Sequence, residues 1–94
     1  MMGISAQLSL YPLGQTDIAP AIRSVLEVLA AHELPYEVGS MSTLVWGDDE
    51  AIFAALREAF AQATRHGPAV MVITVSNACP IPTSKESAHA SPSA

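Results

Sequence analysis

Hydroxyls, a carboxamide and aromatic rings recur at three places along this chain, and they are the groups best able to meet a ligand. Ser9 and Tyr11 alternate in one segment, Ser42 and Thr43 adjoin in a second that ends at Trp46, and Ser76 and Asn77 adjoin in a third. In extended chain, alternate residues share a side, so Ser9 and Tyr11 would project together. Such groups donate and accept hydrogen bonds or present a flat face; they do not by themselves make a nucleophile. The plainer reading of the same residues is a solvated or dimer-forming sheet face.

Other chemistry finds less support. His32, His66 and His89 share no ligand spacing such as i, i+4, and a histidine near a helix C-terminus is ordinarily there for the helix dipole. Asp48, Asp49 and Glu50 form an acidic cluster that helix capping explains. Ser9, Ser42 and Ser76 lack a Gly-x-Ser-x-Gly setting, no glycine-rich phosphate loop occurs, and Cys79 has no basic neighbour to lower its pKa. A small enzyme using Cys79 or His66 ranks last, because no base and nucleophile can be paired. The chain reads as a binding module, with no catalytic residues and no metal.

The elements that must position these residues follow from periodicity. Ile4 to Leu13 alternates, with Ile4, Ala6, Leu8 and Leu10 on one side and Ser5, Gln7, Ser9 and Tyr11 on the other, so it is a strand with one face on a core. Thr16 is the expected N-cap of a helix with Asp17 and Pro20 in its first turn and Ile18, Ile22, Val25, Leu26 and Leu29 as its apolar stripe. Tyr36 to Val38 and Met41 to Trp46 make a hairpin around Gly39-Ser40. Gly47-Asp48-Asp49 opens a second helix with an aspartate cap, burying Ile52, Phe53, Leu56, Phe60 and Ala63 and closing at His66-Gly67. Ala69 to Ser76 is β-branched and apolar, the pattern of a buried strand. The order βαββαβ, with right-handed crossovers, predicts an α+β ferredoxin-like sandwich: a four-stranded antiparallel sheet with both helices on one face. The other face should collect Gln7, Ser9 and Tyr11 together with one alternating set of the third strand, either Thr43 and Val45 or Ser42, Leu44 and Trp46.

Composition bounds the rest. The 94 residues allow one domain, expected at 1–79, with 80–94 a Pro/Ser/Ala-rich tail too poor in apolar residues to order itself. Half the residues are apolar and 14% charged, which for so small a core points to apolar surface buried against a partner. A net charge of −5 with four Lys and Arg excludes a phosphate-tracking nucleic-acid surface. One cysteine excludes an internal disulfide. No signal peptide and no membrane span are evident, so the cytoplasm is the expected location.

Three segments, Leu8-Ser9-Leu10-Tyr11-Pro12-Leu13, Ser40-Met41-Ser42-Thr43-Leu44-Val45-Trp46-Gly47 and Ser76-Asn77-Ala78-Cys79-Pro80, together resemble the YkoF-like family that binds thiamine and its hydroxymethylpyrimidine moiety. The resemblance runs from Ile4 to Pro80. It implies a ferredoxin-like fold and non-catalytic binding of a pyrimidine, as an intracellular carrier or sensor linked to thiamine or pyrimidine uptake or salvage, with possible association with a membrane uptake system. Carried over residue by residue, it implies that Ser9, Ser42, Thr43, Ser76 and Asn77 hydrogen-bond the ring nitrogens and exocyclic amine, and that Tyr11, Met41 or Trp46 contacts the ring face. Some family members hold two repeats; this chain resembles one, which implies a homodimer or a dimer of dimers. The single-domain branch of the family implies acidic residues where this chain has Trp46 and Asn77. Losing both charges favours the neutral pyrimidine over the cationic thiazolium. The competing function is a small dimeric regulatory or interaction domain with no pyrimidine ligand.

Overall fold

The computed structural model describes residues 2–40 and 42–78; the expected tail, Cys79 and Met41 lie outside the described residues. The elements are β1 (Gly3–Pro12), α1 (Ala19–Ala31), β2 (Tyr36–Val38), β3 (Thr43–Asp48), α2 (Asp49–Ala63), a single 3-10 turn (Thr64–His66) and β4 (Ala69–Ser76). The strands form one antiparallel sheet in the order β2-β3-β1-β4, the predicted ferredoxin-like arrangement.

Register divides the sheet into two faces. Ala6 pairs with Val45 and Val75, and Leu8 with Thr43 and Ile73, so these side chains turn toward the helices. Ser5 pairs with Trp46 and Ser76, and Gln7 with Leu44 and Thr74, so these form the open face. The core joins Ile4, Ala6, Leu8 and Val45 to Val25 and Leu29 of α1 and to Ile52 and Leu56 of α2. Gly47 lies on the helix side, opposite Ile4, with φ of 157°. A Cβ there would meet Leu34 Cδ2 at 3.0 Å, so the absent side chain is what lets Leu34 close the core beside β3.

Helix ends differ from the expected ones in instructive ways. α1 begins at Ala19 rather than directly after Thr16, flanked by Ile18 without a side-chain cap. A start at Asp17 would put Pro20 where its missing N–H costs an intrahelical bond; a start at Ala19 makes it the second helical residue, where it costs none. Asp17 Oδ1 accepts the Ala19 N–H at 3.1 Å instead. At the far end Glu33 takes φ of 58°, its N–H donates to the Ala30 carbonyl at 2.9 Å, and Leu34 N–H donates to the Leu29 carbonyl at 3.1 Å. That is a Schellman closure with a glutamate at the left-handed position and buried Leu34 as its apolar plug. Asp48 occupies the N-cap position of α2, but its side chain makes no capping bond. The N-terminal strand edge takes over: Asp49 N–H donates to the Met2 carbonyl at 2.8 Å, and Met2 N–H to Asp49 Oδ1 at 3.3 Å.

Two burial expectations are corrected. Phe53 and Phe60 do not join the buried stripe of α2; they are 53% and 41% exposed, and Ala55 and Ala59 pack in with Ile52, Leu56 and Ala63. Small alanines let α2 sit close to the sheet and α1, which leaves its large rings on the flank. β4 is not a buried strand but an edge, paired with β1 alone, and most of its residues are exposed. No helix among the described residues is long and apolar enough to cross a membrane.

Candidate functional site

β1 outruns β3. Its pairing with β3 ends at Leu8 opposite Thr43, while its pairing with β4 continues to Pro12 opposite Ala69. Beside the overhanging Ser9–Tyr11 stretch lies the β2–β3 turn, closed by Gly39 N–H donating to the Ser42 carbonyl at 2.7 Å. The two-strand gap between them is a notch in the sheet, and the first two turns of α1 roof it. The result is a cleft of about 290 Å³ between α1, β1 and the β2–β3 turn. That is at the small end of the range for ligand pockets, roughly 300–1,000 Å³.

The notch explains how residues from both faces of β1 reach one cavity. Leu8 and Leu10 enter from the helix side, and Ser9 and Tyr11 from the open side. Ile18, Ile22 and Leu26 of α1 form the apolar roof. Hydroxyls come from Ser9, Tyr11, Ser40, Ser42 and Thr43, and among the described residues no charged side chain lines the cleft. Tyr11 is 48% exposed at the mouth, whereas Thr43 is buried in the wall. Neither Ser42 nor Thr43 makes a side-chain hydrogen bond to another described residue, so each has hydrogen-bonding capacity to offer a ligand.

The structure thus gathers Ser9, Tyr11, Ser42 and Thr43 but not Trp46, Ser76 and Asn77. Of the two alternating sets, Ser42, Leu44 and Trp46 belong to the open face, and Thr43 and Val45 to the helix face. Trp46 and Ser76 flank Ser5 across the open face, four residues along β1 from Ser9 and therefore about 13 Å away. Asn77 Nδ2 lies 3.3 Å from Met2 Sδ at that same far end. Met41 lies outside the described residues. The missing negative charges at positions 46 and 77 are therefore remote from the cleft, and its neutrality stands on its own uncharged lining. Sequence reading missed the roof as part of a site. Ile18, Ile22 and Leu26 fit an ordinary core stripe, and only their incomplete burial marks them as the border of an open space.

His32 and His66 serve the seam between the helices. His32 Nε2 lies 2.7 Å from Glu58 Oε1, an exposed pair. Ser24 Oγ donates to the Pro20 carbonyl at 3.0 Å and lies 2.9 Å from His66 Nε2. Because the serine proton is committed to a carbonyl, the imidazole must be the donor to Ser24. His66 is thus no base toward that hydroxyl, and the pair is a structural clasp. Among the described residues no three His, Cys, Asp or Glu side chains are grouped to hold a metal ion.

A family model described as thiamine-binding protein matches residues 6–77. Among solved structures, the chain is similar to a Thermotoga maritima protein assigned to thiamine biosynthesis or salvage, at 18% identity and a TM-score of 0.75, covering 92% of this chain and 96% of that one. It is also similar to a hypothetical protein from Methanocaldococcus jannaschii (22% identity, TM-score 0.78, 94% and 96% covered). A domain of unknown function from Bacillus cereus is similar as well (17% identity, TM-score 0.74, 90% and 86% covered). These structures share the fold. The search of curated proteins found no match.

Proposed function

The chain belongs to the thiamine-binding protein family, and from that premise we propose that its notch cleft holds the hydroxymethylpyrimidine half of thiamine, or the free pyrimidine, without transforming it. One observation carries the reading: a small cleft, uncharged among the described residues, whose apolar roof faces five hydroxyl side chains. A flat aminopyrimidine needs apolar walls against its two faces and donors and acceptors along its edge. Ile22 and Leu26 offer the wall from α1. Ser42 and Thr43 offer hydroxyls that both donate and accept, matching ring nitrogens and an exocyclic amine, and Tyr11 offers its ring at the mouth. Among the described residues no carboxylate lines the cleft to neutralise a thiazolium, so a cationic half would extend past Tyr11 into solvent. The protein then acts as a carrier or sensor for thiamine or its pyrimidine during uptake or salvage, inside the cell and in reach of an uptake system.

Isothermal titration tests this, using hydroxymethylpyrimidine and thiamine in separate runs on folded protein stripped of bound small molecules. Saturable heat with the free pyrimidine, equalled or only slightly exceeded by thiamine, is the expected result. Absence of heat with both ligands would overturn the proposal. Binding of thiamine alone would overturn the assignment of the pyrimidine as the recognised half.

A further inference from the structure

Strand pairing fixes where each peptide group of β1 points. In an antiparallel ladder a residue's N–H and C=O lie on the same side of its strand, and successive residues face opposite neighbours. Leu13 N–H donates to the Pro68 carbonyl at 2.8 Å, so Leu13 and Pro68 form a hydrogen-bonded rung. Counting back along the register, Tyr11 with Val70 and Ser9 with Val72 are rungs of the same kind, and Leu10 opposite Met71 is not. The peptide groups of Leu10 therefore turn away from β4, toward the side that β3 occupies alongside Gly3–Leu8. β3 gives the same answer independently. Trp46 N–H donates to the Pro35 carbonyl at 3.3 Å and Gly39 N–H to the Ser42 carbonyl at 2.7 Å, so Trp46 and Ser42 bond toward β2 and Thr43 bonds toward β1. Thr43 and Leu8 are thus the last hydrogen-bonded rung, and Leu10 stands one rung beyond it, facing the notch.

This stretch of β1 has a fixed polarity. Leu10 presents one donor and one acceptor to the cleft it lines, and among the described residues neither has a hydrogen-bond partner. The next residue facing the same way is Pro12, which has a carbonyl but no N–H. That orientation is also why a proline can end β1. Opposite Ala69 its nitrogen faces the notch, and no ladder bond to β4 is lost. Beyond Leu8, then, the Leu10 N–H is the single main-chain donor on this side of β1. A peptide pair screened from water and left unmet is costly, and the polar edge of a ligand can meet it.

We infer that the main chain of Leu10, rather than a side chain, reads the amine-bearing edge of the pyrimidine: its N–H donates to the ring nitrogen beside the amine, and its C=O accepts from the amine. The inference rests on the pyrimidine reading of the cleft and adds what selects that ring. At extended dihedrals the nitrogen and the carbonyl oxygen of one residue are about 3 Å apart and point the same way, close enough to engage neighbouring atoms of a ring edge. The hydroxyls of Ser42 and Thr43 rotate and either donate or accept, so they meet an amine or an oxo group alike. A peptide cannot exchange its donor for its acceptor. An oxo group in place of the amine would set a protonated ring nitrogen against the Leu10 N–H and an oxygen against the Leu10 carbonyl, so both contacts would turn repulsive. The hydroxyls remain for the other ring nitrogen and the amine's second proton.

Nuclear magnetic resonance and titration calorimetry of the full chain test this. In the ligand-free protein the Leu10 amide should exchange faster than those of Ser9 and Tyr11, which β4 holds. With isotope-labelled hydroxymethylpyrimidine, a scalar coupling across the hydrogen bond should link the Leu10 nitrogen to a ring nitrogen. The analogue with an oxo group in place of the amine should bind roughly 100-fold more weakly, or worse. Replacing the amide between Ser9 and Leu10 by an ester removes the N–H and keeps both side chains. It should weaken binding of the amine about 10-fold and shrink the preference for amine over oxo, a change that a merely loosened strand would not produce. Equal affinity for the two ligands would overturn the inference, as would a bound pyrimidine with no coupling to Leu10, or a Leu10 amide already protected in the free protein. Each of those results leaves the pyrimidine reading standing. Silence from both ligands would overturn the two together.

Discussion

Thr43 carries its hydroxyl on the side of β3 that faces α1, at the last rung shared with β1, and so into the wall of the cleft. A valine there keeps the shape and removes only the hydrogen bond. Thr43→Val should therefore weaken pyrimidine binding about 2- to 10-fold, the effect of losing one net hydrogen bond of about 0.5–1.5 kcal/mol. Titration calorimetry would show it, with circular dichroism unchanged. Asn77→Ala should leave affinity untouched, because Asn77 sits beside Met2 at the other end of the sheet. Equal losses in both variants would indicate a ligand on the open face rather than in the notch. The sequence named the hydroxyls but left open which of them share the open face. Alternation along β3 offers two sets, and only pairing with β1 decides which set meets the helices.

At the scale of elements, the end of α1 holds a residue in a backbone conformation that suits another. Glu33 sits at φ of 58° to complete the Schellman turn. Glu33→Gly should raise stability by about 0.5–1 kcal/mol: relief of left-handed strain outweighs the extra freedom glycine gives the unfolded chain. Urea denaturation would measure it, and a loss of stability would mean that the glutamate side chain contributes something its exposed position does not suggest. All six regular elements were readable: β1, α1 and α2 from long periodic repeats, β2 and β3 from the turn signal at Gly39-Ser40, and β4 from its β-branched run. Burial within them was less so. Ala69–Ser76 is as apolar as a central strand, yet chain order alone makes it an edge. Phe53 and Phe60 fit the α2 stripe by spacing, yet they lie just outside the arc that alanines fill.

Across the whole molecule, the core is thin. Leu29, Ile52 and Val45 are the largest side chains essentially sealed from solvent, and each touches both a helix layer and the sheet through its neighbours. Ile52→Ala should cost about 2–5 kcal/mol, a large share of the roughly 5–15 kcal/mol that holds a domain together. Denaturant titration at fixed protein concentration would show the shift. A cost below about 1 kcal/mol would mean that α2 settles into the space left behind. The exposed apolar residues of this small domain include one set at the cleft around Tyr11, Ile18 and Val38 and another along β4 and α2, with Met2 and Tyr36 apart from both. The proposed ligand would cover the first set.

Taken alone, the amino-acid sequence determined the element order, the ferredoxin-like fold and the kinship with the thiamine-binding protein family, since local periodicity, turn residues and three short segments are all encoded along the chain. Only the tertiary structure decided where the cleft lies. The notch arises because β1 overshoots β3 by four residues, a fact of register between strands more than thirty residues apart. It likewise separated Trp46, Ser76 and Asn77 from Ser9, Tyr11, Ser42 and Thr43, because a strand holds its two ends apart. It also exposed β4, because an edge is defined by the neighbour a strand lacks, and no property of the strand's own residues records that.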